Sequence, residues 1–365
     1  VGWLGVAWPF VVAGLALLLG LLGLAWREIR IVAPRARPRL RYAEAHRLET
    51  EDGASIELRR LPPPTDPARL PPVLCVHGIG IDHHNVDMFE DRSIARHLQR
   101  RGRDVWLLTL RSGVRAPHRR AARTSFDRMA RHDVPLAIRE VLARTGAPEL
   151  DYLGFSMGGM LAYAALGCVL PRGLVARVAI MGSPGIVVAP EPISHVLAHI
   201  TPALLVPHLP LESVCRLLAR PASWLITPIH ARIVHPPNMA RGDYRTALST
   251  IASIPRPLLR DFQRFVRHGG ELRFEGKAVL AALRGLDVPL HVVAGERDHV
   301  APPAAVKAAF DAWGSDRPGV DKAFWVAGTK SGARHGYGHG DLAMGLRVDA
   351  EVLARVADFL MRRGP

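Results

Sequence analysis

Asp151-Tyr152-Leu153-Gly154-Phe155-Ser156-Met157-Gly158-Gly159-Met160-Leu161 is the stretch that decides how the rest of the chain is read. An apolar lead-in through Leu150, Tyr152 and Leu153 predicts a strand, and the run from Met160 to Leu170 predicts a helix. Between them, Gly154-Phe155-Ser156-Met157-Gly158 has the G-x-S-x-G spacing of a sharp strand-to-helix turn with serine at its apex. A serine on so tight a turn takes a strained backbone conformation, and glycines two before and two after it let strand and helix approach. The turn lifts the Ser156 hydroxyl above the sheet. It leaves the Met157 N–H at a helix N-terminus, where negative charge is stabilised. The bland alternative is an ordinary Gly/Ser turn, and the partner residues below weigh against it.

Composition sets the outer bounds. A chain of 365 residues, 48% hydrophobic and 22% charged, can bury one large core with a cap and is not a disordered polymer. Its formal net charge of +15 comes almost entirely from arginine. Arginine beside abundant Ala, Pro, Gly and Val has the look of coding bias. No zinc finger, RNA-binding signature or basic–aromatic interleaving accompanies it, so nucleic acid is not an expected partner. A basic flank facing anionic lipid is. Cys75, Cys168 and Cys215 are scattered through apolar segments and are expected as buried free thiols. His83-His84-Asn85, with Asp82 and Asp87 beside it, lacks metal-ligand spacing. It is expected to form a pocket-rim loop, with no metal.

Val1 to Trp26 carries no charge and exceeds the roughly 20 residues that span a bilayer. Trp3, Trp8 and Trp26 lie near its ends, where indoles favour the interface. Arg27, Arg30, Arg35, Arg37, Arg39 and Arg41 follow. The expectation is a single-pass transmembrane helix over 1–26, with the C-terminal side cytoplasmic by the positive-inside bias, rather than a cleaved signal peptide. A basic, Pro-broken linker is expected over 27–45.

Residues 46–183 read as the first part of the folded core. Alternation on either side of Asp52-Gly53 predicts a hairpin. Val73-Leu74-Cys75-Val76 predicts a central strand, ending in His77-Gly78-Ile79-Gly80. Ser93 to Arg101 is expected as a helix, 104–110 as a strand, and 126–144 as a helix that starts anew near Asp133 because of Pro135. Val175 to Met181 is the strand after the elbow helix. Strands alternating with helices imply a mostly parallel sheet flanked by helices. Residues 184–286 are rich in Pro, His and Leu, with no clear strands and short helical runs at 196–205, 211–218 and 257–266. An insertion of that length is expected to be a helical cap over the site, with Leu204, Leu205, Trp224, Leu225 and Ile226 as possible lipid contacts.

Residues 287–365 read as the second part of the core. A strand over 288–294 ends in Gly295-Glu296-Arg297-Asp298, before a Pro-initiated helix from Pro302 to Trp313. A carboxylate just past a strand end is where a triad acid is carried, although Asp298 also suits a plain helix N-terminal charge. Lys322 to Ala327 is the last strand. The loop after it holds His335 and His339, and a closing helix runs over 349–361. His339 is the expected base because it lies nearer that helix and has Asp341 two residues on, with His335 in reserve.

The order Ser156, Asp298, His339 resembles that of the α/β-hydrolase superfamily over about 49–362. Asp104-Val105-Trp106 to Leu110-Arg111, Phe126-Asp127 to His132-Asp133-Val134-Pro135, and His339-Gly340-Asp341 are similar to its lipase and polyhydroxyalkanoate-synthase-like branch. The synthases carry cysteine at the elbow, whereas Ser156 points to hydrolysis. The resemblance implies an α/β-hydrolase fold and a Ser156–His339–Asp298 triad. It also implies an oxyanion hole from the Ile79 and Met157 N–H groups, shaped by His77, Gly78, Gly154 and Gly158, and an acyl-enzyme formed without a cofactor. The expected substrate is a lipophilic carboxylic ester, and membrane lipid is the expected partner of the N-terminal helix and of the cap. Acyl transfer on the same triad and a non-catalytic membrane scaffold are the competing readings.

Overall fold

Strands β3 (Val73–Val76), β4 (Val105–Thr109), β5 (Leu150–Phe155) and β11 (Leu290–Gly295) are buried along their whole length, so each must be covered on both faces. The computed structural model describes residues 2–64, 70–114, 123–188, 208–223 and 228–362. An eight-stranded sheet runs through it in the order β1-β2-β4-β3-β5-β6-β11-β12. The hairpin of β1 (Glu44–Glu49) and β2 (Ser55–Leu61) is antiparallel, as is the β2–β4 pair. The rest, with β6 (Val175–Met181) and β12 (Lys322–Ala327), is parallel.

Successive residues of a strand point to opposite faces, and the two cores divide accordingly. Leu74 and Val76 join Trp106, Tyr152 and Met160 in one core. Val73 and Cys75 join Leu107, Leu153 and Val293 in the other. Helix α2 (Ile94–Arg100) covers the second core, capped by the Ser93 hydroxyl on Arg96 N–H. Helix α3 (Val134–Thr145) covers the first and ends at Gly146 in the left-handed region. Pro135 does not break the chain's helical course. A π-turn over Met129–Asp133 leads in from Phe126–Arg128, and Pro135 falls in the first turn of α3, where its missing N–H is no loss.

Helix α4 (Met157–Cys168) follows the elbow. The described part of the cap contains helices α5 (Leu211–Leu218), α6 (Pro228–Ile233), α7 (Arg241–Thr250), α8 (Arg256–Arg267) and α9 (Val279–Leu283). Two features depart from the sequence expectation. The cap has short strands, β7 (His208–Leu209) on β8 (Ile254–Pro255) and β9 (Arg273–Phe274) on β10 (Lys277–Ala278), which are too short to show alternation. Helix α7 was also unexpected, because its Arg, Asp and Thr content hides an apolar stripe. The expected helix at 196–205 and the residues Leu204, Leu205, Trp224, Leu225 and Ile226 lie outside the described residues. Helix α10 (Pro303–Ala312) follows β11. Helix α12 (Ala354–Leu360) closes the chain, after a short helix α11 (Asp341–Met344).

Helix α1 (Gly2–Arg27) leads into a π-turn at Glu28–Val32 and a 3-10 turn at Ala33–Ala36. Residues Val12–Ala36 are long and apolar enough to cross a membrane by length and composition, and none of that stretch's most apolar window is buried. The side chains of 1–11, with Trp3 and Trp8, lie outside the described residues. The segment after α1 is held to the body: Ala33 is buried, Arg37 ion-pairs with Asp82, and a His84 ring nitrogen lies 3.2 Å from the Pro38 carbonyl.

Candidate active site

Ser156 has φ 51° and ψ −120°, a backbone conformation that L-residues rarely adopt. Its surroundings over-determine it. A Cβ on Gly158 would come within 2.3 Å of the Val76 carbonyl oxygen, and one on Gly154 within 2.6 Å of the Gly159 backbone. Strand and helix therefore meet at contact distance only because both positions are glycine. The Tyr152 hydroxyl donates to the Gly158 carbonyl at 2.7 Å, and Ser156 N–H donates to Met181 O at 2.9 Å.

The three distant residues singled out in the sequence converge here. Ser156 Oγ lies 2.9 Å from His339 Nε2, and His339 Nδ1 lies 2.8 Å from Asp298 Oδ2. Asp298 is buried, and its other oxygen accepts the N–H groups of Val300 and Ala301 at 2.8 and 2.7 Å. The carboxylate thus bonds both the turn before α10 and the His339 ring. The Phe155 ring packs on His339 with centroids 5.2 Å apart. His335 faces elsewhere, with its ring 6.1 Å from that of His235.

His77, Gly78 and Ile79 form the facing wall. His77 Nε2 accepts the Leu110 N–H at 3.0 Å, which leaves Nδ1 to donate to the Gly78 carbonyl at 2.7 Å. Burial holds His77 below its ordinary pKa, so it stays neutral and ties the end of β3 to the end of β4. A Cβ on Gly78 would lie 3.0 Å from Ser156 Cβ, so the Gly78–Ile79 backbone runs directly against the serine, and Met157 opens α4 on its other side. Asn85 Oδ1 accepts the Gly78 N–H at 2.8 Å. Sequence reasoning did not give Asn85 this job, because only the fold brings it back beneath the turn.

His83 and His84 are buried instead of standing at the rim, and only Asn85 of that trio lines the cavity. Asp82, His83 and His84 offer ligand atoms within 4.8 Å of one another. Those atoms are already engaged: His84 Nδ1 lies 2.7 Å from Asp82, His83 Nδ1 lies 3.0 Å from Thr109 Oγ1, and Arg37 bonds Asp82. Burial opposes the Asp82 charge, but the bond from His84 and the nearby cationic partners hold its carboxyl well below the usual range. A guanidinium beside the cluster opposes a cation there, and the group instead fastens the segment after α1.

A cavity of about 360 Å³ opens over Ser156 and His339, walled by Ile79, Ile81, Met239, Tyr244, Ile254 and Met344. From the cap, Leu211 and Cys215 of α5 also reach it. All three cysteines are free, but Cys168 and Cys215 are only partly buried. Burial pushes the Cys215 thiol up to about 11, so it faces the cavity as a small apolar group.

Residues 71–209 match the family model for the alpha/beta hydrolase fold. Lysosomal acid lipase/cholesteryl ester hydrolase of Homo sapiens is 29% identical over 165 residues, 39% of this chain and 41% of that protein. Gastric triacylglycerol lipase of Homo sapiens is 29% identical over 135 residues, 33% of this chain and 34% of that protein. The chain thus spans less than half the length of the curated relatives it matches. Among solved structures, the esterase RhEst1 from Rhodococcus sp. ECU1013 has a TM-score of 0.54 at 19% identity, covering 88% of this chain and 99% of that one. A membrane phospholipase A described as a bacterial virulence factor has a TM-score of 0.50 at 18% identity, covering 99% of this chain and 98% of that one. Likeness at these identities speaks to fold alone. On its strand order, its elbow and the matched segment, the chain has an alpha/beta-hydrolase fold, and its likenesses are among esterases and lipases.

Proposed function

We propose that the chain is a membrane-anchored serine hydrolase that cleaves carboxylic esters of a lipophilic substrate. The observation that carries this reading is the hydrogen-bonded line from Asp298 through His339 to Ser156, set under an apolar cavity. His339 Nε2 takes the Ser156 proton as Oγ attacks the ester carbonyl, and Asp298 holds the Nδ1–H tautomer and stabilises the imidazolium. The Ile79 and Met157 N–H groups stabilise the tetrahedral oxyanion, each worth about 3–4 kcal/mol of barrier. His339 then protonates the departing alkoxide, leaving an acyl group on Ser156. Water, deprotonated by the same imidazole, releases the acid and restores the serine. None of these steps calls on a cofactor.

Membrane anchoring is supported by the length and composition of α1, and the arginines after it favour a cytoplasmic catalytic domain. The likeness to lipases in sequence supports a lipid ester as substrate. Labelling with a fluorophosphonate probe tests the chemistry: Ser156 takes the label in the unmodified chain, and Ser156→Ala abolishes both labelling and p-nitrophenyl ester hydrolysis. Folded protein that hydrolyses esters with Ser156 replaced by Ala overturns the reading.

A further inference from the structure

Cap helix α5 carries an apolar arc that the proposed reaction uses only in part. Val214, Leu217 and Leu218 are 47, 43 and 47% exposed, whereas Arg216, on the polar side formed with Glu212 and Ser213, is buried. At 3.6 residues per turn, Leu217, Val214, Leu218, Leu211 and Cys215 form one stripe about 160° wide. Its Leu211–Cys215 edge lines the cavity over Ser156, and its Leu217–Val214 edge faces out. Ile233, which also lines the cavity, is itself 47% exposed. The apolar surface is therefore continuous from the outside of the cap to the serine.

What covers the outer edge is indicated by its neighbour. A groove of about 380 Å³ separates α5 from α1, lined by Leu21, Leu24 and Val32 on one side and by Leu217 and Pro221 on the other. Arg27, Glu28 and Arg220 complete it, with Arg220 Nε 3.8 Å from the Glu28 carboxylate. Leu21 and Leu24 belong to the apolar stretch long enough to span a bilayer, so Leu217 lies at their depth. An exposed arc there meets the boundary between headgroups and acyl chains. Arg27, Arg30 and Arg35 are exposed just beyond, where anionic headgroups lie.

We infer that α5 is an interfacial helix whose Val214–Leu217–Leu218 edge rests in the anionic leaflet that receives the end of α1, and that an ester with a membrane-resident acyl chain enters the Ser156 cavity along this stripe. The inference rests on the reading of α1 as a membrane span and of Ser156 as the nucleophile. The occupant is the bilayer itself, and cover by another part of the cap or by a second copy of the chain is an outcome of the test.

The full chain is reconstituted in phosphatidylcholine–phosphatidylglycerol vesicles and assayed on a short soluble p-nitrophenyl ester and on a long-chain ester held in the same vesicles. In Leu217→Glu/Leu218→Glu, two carboxylates forced toward hydrocarbon cut vesicle-ester hydrolysis by about tenfold or more, while soluble-ester hydrolysis holds. An environment-sensitive fluorescent amino acid replacing Leu218 is quenched by brominated lipid, and one replacing the exposed Lys307 is not. Unchanged vesicle hydrolysis in the double variant, or a Leu218 probe shielded from brominated lipid, overturns the inference and leaves the enzyme reading standing. Loss of soluble-ester activity in the double variant marks misfolding, and the quenching result then decides alone. An unmodified chain that cleaves neither ester overturns the enzyme reading instead, and carbonate extraction of that chain reports separately on α1.

Discussion

The Asp341 carboxylate, two residues beyond His339, turns away from the imidazole and accepts the Asn238 side-chain amide at 2.7 Å. Asp341 also accepts the backbone N–H groups of His235 and Gly338, at 2.9 and 3.1 Å, and it is fully buried. Two backbone bonds run beside it, Gly340 N–H to Ile233 O and Leu346 N–H to Asn238 O, both at 2.8 Å. The loop that holds the imidazole and the cap segment after α6 are thus one hydrogen-bonded unit.

Asp341→Ala is therefore expected to act on the reaction without touching the serine. Three donors lose their acceptor, and for the two on the buried residues Asn238 and Gly338 this costs about 1–3 kcal/mol of stability per unsatisfied group. The loop keeps its backbone bonds to the cap but loses the side-chain tie that stiffens it, so kcat for a soluble ester falls by about tenfold to hundredfold while KM moves less. Steady-state kinetics with a thermal melt measure both. Wild-type kcat in a destabilised Asp341→Ala would show that His339 is positioned independently of the cap.

Ser156 makes a second outcome calculable. Its φ of 51° burdens any side chain at the elbow and is open to glycine. Ser156→Gly and Ser156→Ala are both expected to be inactive, but the glycine variant is more stable by about 1 kcal/mol because it relieves the strain that alanine keeps. Urea unfolding of the two proteins gives the difference directly. Equal midpoints would mean that the turn stores no strain at this residue.

Gly159 has a tighter neighbour than either motif glycine. A Cβ there would meet Ser183 Oγ at 2.2 Å and Ser183 Cβ at 2.7 Å. Gly159→Ala is expected to lose about 1–3 kcal/mol through overpacking. Adding Ser183→Gly removes both clashing atoms and recovers a large share of that loss, so the two changes are strongly non-additive. A double-mutant cycle in chemical denaturation reads the coupling, and strict additivity would argue that α4 shifts as a whole to make room.

These positions separate what the chain announces from what it conceals. Ser156 and Asp298 were legible as candidates because each stands just past a strand end, and His339 because it lies in the loop between the last strand and the closing helix. Gly154 and Gly158 were legible because the turn imposes their spacing. Gly159 belonged to no pattern, since its need for smallness comes from Ser183, two residues past the end of β6. Asn85 was seen beside two histidines and given a place at the rim, because nothing local reveals that its carbonyl returns to Gly78 N–H. Asp341 was read as an aid to His339 by proximity in sequence, whereas its partners lie some hundred residues earlier in the cap. Helix and strand follow from periodicity over a few residues, and side-chain bonds between distant loops do not.

His291 is expected to contribute to the pH dependence of stability. It lies in β11 with its ring stacked on Phe359 at 5.4 Å, and its Nε2 has no hydrogen-bond partner. Burial, and then the charges of Arg362 and Arg355, lower its pKa from the ordinary 6.5 to about 4. In the unfolded chain the same imidazole takes up a proton below about 6.5, which the folded protein resists until about 4. The unfolded state thus binds more protons across that window, and stability is lost as pH falls through it, by up to about 3 kcal/mol. His291→Phe keeps a ring against Phe359 and removes the titrating group, so it is expected to flatten this acid limb while leaving stability near pH 7.5 within about 1 kcal/mol. Urea midpoints for both proteins at several pH values between 4 and 7.5 measure the slope. If both proteins lose stability equally across that range, the proton responsible is taken up elsewhere.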